Sequence, residues 1–309
     1  MKIVIRVDPE TRTFWKNTLR EKMGEMQVYL WDEDEFDPKE IDFAVVWAPP
    51  KGMIASLPNL RAIFSVGAGI SHITDDPTLP RAIPIIRTTG EVLRQRMCEY
   101  VALHTLRIHR RLGEIEESCA RKEWKWFVEP PANTKTVGIM GMGNLGFAAA
   151  KCLKSLGFKV RGLARHEREV EGIEVFGAER ISEFLAGVDI LVSMLPGTKE
   201  TENIICKETI NQLPKGAWVI NVGRGSQVDD EALIGALDTG HLAGAVLDVF
   251  RTEPLPKESK FWGNPKILIT NHTASAIEAA VGGEIISNNI RKYIRGEEIR
   301  DMVNREKGY

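Results

Sequence analysis

A glycine spacing restricts this chain more than any other feature. Gly141-Met142-Gly143-Asn144-Leu145-Gly146 follows the apolar run Val137-Gly138-Ile139-Met140 and opens an alanine-rich segment of helical period. A strand that turns through G-x-G-x-x-G into a helix is built to cradle phosphate. The first glycine permits the tight turn, the second lets backbone approach a pyrophosphate, and the third lets helix pack on strand. The helix start adds unpaired N–H groups and the positive end of its dipole. The spacing alone is weak. Its place between strand and helix is what points to a dinucleotide.

The rest of the chain agrees with such a fold. Lys2–Val7, Phe43–Ala48, Arg61–Val66 and Pro84–Arg87 read as strands, with a helix over Thr11–Met23. A long helical pattern runs over Glu91–Arg111. The alternation restarts with strands at Thr136–Met140, Lys159–Ala164, Ile190–Leu195, Ala217–Asn221, Gly244–Val249 and Ile267–Thr270. Helices are expected at Leu145–Leu156, Asp230–Asp238 and about Ser275–Arg295. Strand–helix alternation predicts α/β architecture with parallel sheets. At 309 residues, two doubly wound (Rossmann/flavodoxin-like) domains with an interdomain cleft are expected. Residues 1–98 plus 273–309 would bind substrate, and 99–272 the dinucleotide. The chain ends soon after its last helix, so no appended regulatory domain is expected.

Composition excludes other classes. With 41 Lys+Arg against 43 Asp+Glu, nothing in the charge calls for nucleic acid or an anionic membrane as partner. No apolar run reaches the roughly 18 residues of a membrane span, and no secretory leader is apparent. Cys98, Cys119, Cys152 and Cys206 form no Cys-x-x-Cys pair, so neither a metal site nor a disulfide framework is expected. A cytoplasmic protein is the reading.

The position after the second strand bears on the dinucleotide. NAD sites carry an acid there for the ribose 2′-OH. Here Ala164 stands in its place, followed by Arg165 and, three residues on, Arg168. Guanidinium matches phosphate geometry, so NADP(H) is the preferred cofactor and NAD(H) a possible one. The competing reading has Glu167 on the ribose and Arg165 as a solvated charge.

Three further segments place polar residues just past predicted strands, where ligands bind in open α/β sheets. They are Asn221-Val222-Gly223-Arg224-Gly225-Ser226, Leu247-Asp248-Val249-Phe250-Arg251-Thr252-Glu253-Pro254-Leu255-Pro256, and Ile269-Thr270-Asn271-His272-Thr273-Ala274. Twenty-nine positions lead from Arg224 to Glu253 and nineteen from Glu253 to His272. In order and spacing, over nearly the whole length, the chain resembles the D-2-hydroxyacid dehydrogenases. Within them it is most similar to the short glyoxylate/hydroxypyruvate reductases.

The resemblance implies roles. Arg224 holds the substrate carboxylate and polarises the keto oxygen. His272 is the acid in reduction, and Glu253 pairs with it. Asp248 anchors the nicotinamide carboxamide, while Leu195, Pro196, Val222 and Gly223 border the cofactor. Gly67, Ala68 and Gly69 offer backbone N–H groups to the carboxylate. The chemistry suits these types. Hydride arriving at a carbonyl carbon leaves charge on the oxygen, which a fixed cation stabilises. The imidazole delivers a proton near neutral pH, and a carboxylate beside it favours its charged form. Glu253 rather than Gln argues against formate as substrate. Other acids (lactate, 3-phosphoglycerate, larger keto acids) and a non-catalytic dinucleotide sensor are the alternatives.

Two departures from the family pattern stand out: Asn271 precedes the histidine where many members have Pro, and Ile70-Ser71 follows Gly69. Trp47, at a strand end, is read either as a wall of a small substrate pocket or as core. Arg94, Arg96 and Met97 are read as a solvated helix face or a substrate contact. Trp124 and Trp126 are read as part of a homodimer interface or a local apolar patch.

Overall fold

Fully buried strands of parallel sheets read as unbroken apolar runs, and this chain builds two such sheets in separate units. The computed structural model describes residues 1–304. One unit is Met1–Gly90 with the C-terminal stretch from Ala276, and the other is Glu91–Ser275.

The first unit has β1 (Lys2–Arg6), β2 (Gln27–Leu30), β3 (Phe43–Val46), β4 (Ala62–Ser65) and β5 (Ile85–Ile86), ordered β2-β1-β3-β4-β5 and all parallel. This is the flavodoxin-like order. β2 was not foreseen: it has four residues at a sheet edge, with Gln27 exposed. Helix α1 (Arg12–Met23) buries Trp15, Leu19 and Met23, one per turn, and ends at Gly24 with φ 58°. A short helix α2 covers Ser71–Thr74. The C-terminal helix, Ala279–Arg295, returns to this unit because it carries no side chain where it meets α1. A Cβ on Gly282 would lie 2.3 Å from the Trp15 ring, and one on Gly283 2.4 Å from Thr18 Cγ2.

The second unit opens with α3 (Glu91–His109) and α4 (Leu112–Ala120). Its strands are β6 (Thr136–Met140), β7 (Lys159–Leu163), β8 (Arg168–Val170), β9 (Ile173–Phe176), β10 (Ile190–Ser193), β11 (Ala217–Asn221), β12 (Leu242–Leu247) and β13 (Ile267–Ile269). The order is β13-β12-β11-β10-β6-β7-β9-β8. Seven strands run parallel and β8 pairs antiparallel with β9. Without β8 and β13 this is the Rossmann order, whose switch point lies between β6 and β10. Helices α5 (Asn144–Ser155), α6 (Ile181–Leu185), α7 (Lys207–Ile210) and α8 (Asp230–Asp238) join the strands. The expected α/β class with two doubly wound sheets is therefore borne out.

The division falls at Gly90 and Ser275 rather than at 98 and 272. α3 is one unbroken helix whose Met97 and Val101 share a core with Ala149 and Ala150 of α5. Ser275 Oγ donates to the Leu93 carbonyl at 3.0 Å, which keeps that segment with α3.

Candidate active site

The glycine cradle sits at the switch point of the second sheet. Gly141 adopts φ +99°, and a Cβ there would come within 2.8 Å of the Met194 carbonyl, just after β10. At Gly146 a Cβ would lie 1.9 Å from the Gly141 oxygen, so only glycine lets α5 start so close to β6. Gly143 differs: a Cβ there would meet nothing within 4 Å. Its backbone faces open space, where a pyrophosphate needs room, and Asn144 and Leu145 begin the helix. The residues present fit a dinucleotide. Arg94, on α3, donates to Asn144 Oδ1 at 3.2 Å and also pairs with Glu91. Met97 is buried in the core. Neither therefore belongs to a wholly solvated face.

Around the second strand, Ala164 N–H donates to the Phe176 carbonyl at 3.0 Å, so the residue where an acid would stand carries a methyl group. Arg168 reaches back and donates to the Met142 carbonyl inside the cradle at 2.8 Å. Arg165 is exposed beside it in sequence. Glu167 is held by Arg180 at 2.7 Å. Arg180 binds Glu183 as well, at 2.7 Å.

Across the switch point, Gln227 is fully buried. It accepts from Ser193 Oγ at 2.7 Å and donates to the carbonyls of Leu195, at 2.7 Å, and Pro196. The Leu195–Pro196 loop is thereby fixed. Asn221, also buried, shapes the next loop. Its Oδ1 accepts from Gly223 N–H and its Nδ2 donates to the Arg224 carbonyl, at 3.1 and 3.0 Å. Val222 is buried beneath this turn. Gly225 has no space for a side chain, since a Cβ would lie 1.9 Å from the Phe250 carbonyl carbon. The Arg224 turn thus rests on the loop that carries Glu253. Arg251 ties the two together by donating to the Ser226 and Val228 carbonyls.

His272 and Glu253 meet directly, with Nδ1 2.7 Å from Oε2. Both side chains are about a third exposed, at 31% and 36%. Glu253 Oε1 also accepts from Phe250 N–H at 2.8 Å. Burial opposes ionisation of Glu253. The His272 hydrogen bond and charge, the Phe250 N–H and the Arg224 charge outweigh it, and its pKa lies below the ordinary value. His272 has φ 54°, a left-handed conformation uncommon outside glycine. Its N–H donates to the Asp248 carbonyl at 2.8 Å. The buried Asp248 carboxylate accepts from Thr270 Oγ1 and from the N–H groups of Thr273 and Ala274, both at 2.9 Å.

In the first unit, Trp47 lies over Gly67. A Cβ there would sit 2.7 Å from the Trp47 ring, which lies tilted against His72 with centroids 4.2 Å apart. Ser65 Oγ accepts from Gly67 N–H and contacts the Gly69 carbonyl, each at 3.3 Å. Thr88 Oγ1 donates to the Ser65 carbonyl at 2.7 Å. The Gly67-Ala68-Gly69 loop is thus braced from below.

The structure brings Arg224, Glu253 and His272 onto adjacent loops of one sheet edge. The bracing residues (Asn221, Gln227, Ser193, Arg251 and Thr270) escaped sequence reasoning, because nothing in their type or spacing marks a contact made only on folding. The contact of His72 with Trp47 has no sequence signature. Among the described residues, no group of His, Cys, Asp and Glu has the makings of a metal site. No helix among them is long and apolar enough to cross a membrane.

Known proteins resemble this chain over its whole length. Residues 102–274 match the family model of the D-isomer specific 2-hydroxyacid dehydrogenase NAD-binding domain. A glyoxylate/hydroxypyruvate reductase A of Serratia proteamaculans is 34% identical over 301 residues, covering 96% of each chain. A D-isomer specific 2-hydroxyacid dehydrogenase of Xanthobacter autotrophicus, solved with NADPH and MES, superposes with a TM-score of 0.91 at 36% identity. The match covers 100% of this chain and 99% of that one. An NADPH-dependent glyoxylate/hydroxypyruvate reductase of Sinorhizobium meliloti, solved with NADP and sulfate, gives 0.94 at 32% identity and covers both chains fully. The chain belongs to the D-isomer specific 2-hydroxyacid dehydrogenase family.

Proposed function

We propose that this protein reduces a small 2-keto acid of the glyoxylate and hydroxypyruvate type to the 2-hydroxy acid, with NADPH as the preferred reductant and NADH a poorer one. The observation that carries the reading is the 2.7 Å pair of His272 and Glu253, one loop away from Arg224 on the sheet edge that holds the cradle. Bound at Gly141–Gly146, the nicotinamide cofactor supplies hydride. Arg224 stabilises the charge that builds on the keto oxygen. Glu253 engages Nδ1 of His272, which leaves Nε2 to deliver the proton. Asp248, Leu195, Pro196, Val222 and Gly223 border the nicotinamide.

For the cofactor's 2′-phosphate, Arg165 and Arg168 are the cations at hand, while Glu167 is committed to Arg180. The methyl of Ala164 offers the ribose 2′-OH no acceptor. The first unit is assigned to substrate: the N–H groups of Gly67, Ala68 and Gly69 take the carboxylate, and Trp47 walls the pocket. Trp124 and Trp126, 97% and 84% exposed, supply the aromatic surface of a homodimer. The four cysteines are free, in keeping with work in the cytoplasm.

The test is oxidation of NADPH and of NADH by glyoxylate, hydroxypyruvate and pyruvate, in parent and His272→Ala proteins. NADPH should support turnover of the first two acids, and the variant should lose on the order of a hundred- to ten-thousandfold. A preference for NADH overturns the 2′-phosphate assignment. Cofactor binding without turnover of any acid overturns the reductase.

A further inference from the structure

His272 stands in a left-handed conformation that must be held by its surroundings, and what holds it is a hydrogen-bond relay ending on helix α3. Left-handed conformations are strained for a residue with a side chain, and persist only where neighbours over-determine them. Asp248 is the hub. Its carbonyl accepts from His272 N–H at 2.8 Å. Its carboxylate accepts from the next two amides, Thr273 and Ala274, on different oxygens at 2.9 Å each. Three consecutive N–H groups are thus fixed by one residue at the end of β12. The turn is only as well placed as that carboxylate.

The carboxylate is placed in turn by Thr270, whose hydroxyl donates to Oδ1. A hydroxyl has a single proton. Thr270 spends it on Asp248, so its contact with the Tyr100 hydroxyl at 2.6 Å has one possible direction: Tyr100 donates and Thr270 accepts. Tyr100 keeps its proton, because burial, with the nearby Asp248 charge, pushes its pKa up. Its ring packs on His104 at 4.3 Å. Burial, with the Arg107 charge, holds the His104 pKa below its usual value, so no second cation competes for Asp248 there.

We infer that Tyr100 is a positioning residue for the proton donor. The relay Tyr100 O–H to Thr270 O–H to Asp248 sets the carboxylate that holds the His272 turn. Tyr100 touches neither substrate nor cofactor in this scheme, and the inference rests on the acid role of His272 proposed above. Nothing in the sequence marks it, since 170 residues separate Tyr100 from Thr270.

Tyr100→Phe keeps the ring and removes only the hydroxyl. We expect kcat to fall about tenfold, the size expected for one buried hydrogen bond. The KM for glyoxylate should stay within about twofold, because the substrate loses no contact, and any weakening of NADPH, which Asp248 borders, should be smaller than the fall in kcat. Thr270→Val should give a similar loss, and Thr270→Ser, which keeps the hydroxyl, should retain parental kcat. The double variant Tyr100→Phe/Thr270→Val should be no worse than the poorer single one, because both break one relay. A parental kcat in Tyr100→Phe, or losses that multiply in the double variant, overturns the inference. So does a fall in kcat accompanied by an equal loss of NADPH binding, which marks a structural role. His272→Ala serves as the control. If that variant keeps parental turnover, the acid assignment itself is wrong. If it is inactive while Tyr100→Phe is unaffected, only the relay falls.

Discussion

Each of the two units holds a residue other than glycine in the left-handed region just past a parallel strand. In the first it is Ala48, with φ 44°, beside Trp47 after β3; in the second it is His272, with φ 54°, after β13. The two turns are held by different means. His272 is fixed by directional hydrogen bonds, with the Asp248 carbonyl on its N–H, the Asp248 carboxylate on the next two amides and Glu253 on the ring. Beside Ala48 the contacts are mostly packing: the Trp47 indole lies over Gly67 and a tilted histidine ring lies against the indole, while the hydroxyls of Ser65 and Thr88 brace the neighbouring Gly67 loop. Charge that must act on a developing oxyanion needs directional supports, because a small misplacement weakens it steeply. The pocket wall proposed at Trp47 relies mainly on packing.

Three substitutions sharpen this contrast. The largest effect is expected at Glu253→Gln, where kcat should fall on the order of a hundredfold while NADPH binding persists. The same variant tests the electrostatics. The Glu253 carboxyl titrates lower in the folded chain than in the unfolded one, so its stabilisation is present at neutral pH. That stabilisation is lost as the pH falls through the folded-state value. Urea unfolding should therefore show the parent more stable than the variant at neutral pH and the gap closing in acid. A gap that does not change with pH would refute an ionic role for the pair.

In the first unit, Gly67→Ala drives a methyl into the Trp47 ring that precedes Ala48. A cost of about 1–3 kcal/mol in stability is expected, with a raised KM for the keto acid. Unchanged unfolding and KM would show that the indole has room to move. The smallest effect belongs to Ala48→Gly. Glycine relieves a left-handed strain of about 1–2 kcal/mol but gives back roughly 0.5–1 kcal/mol in chain entropy. A net gain under about 1 kcal/mol should appear in thermal unfolding. A loss larger than that would mean the Ala48 methyl contributes packing that the strain conceals.

Much of this was legible in the sequence, for physical reasons that also explain what was not. Central strands such as Ala217–Asn221 and Thr136–Met140 are buried on both faces and therefore unbroken in hydrophobicity. The glycines at 141 and 146 are demanded by close backbone approach that no other residue tolerates. The edge pieces were illegible. Arg168–Val170 and Ile173–Phe176 form a short hairpin rich in exposed charge, and four-residue Gln27–Leu30 gives too few residues for a period to show. Arg224, Glu253 and His272 were singled out through their joint spacing, and the fold brings Glu253 and His272 into contact. Asn221, Gln227, Thr270 and Tyr100 were not, because each matters only through a partner that the fold supplies. The helix from Glu91 was expected in nearly its full length, yet its allegiance to the second unit depends on packing against α5 that sequence does not display.

The position of β13 has a consequence for how activity would be lost. The cradle follows β6, a strand with neighbours on both sides, whereas the histidine follows a three-residue, half-buried strand at the margin of the sheet, paired only to β12. Marginal strands detach at lower free energy than central ones. Heat or denaturant should therefore release His272, the proposed acid, while the nucleotide-binding floor is still intact, and leave a protein that holds its coenzyme but no longer turns over.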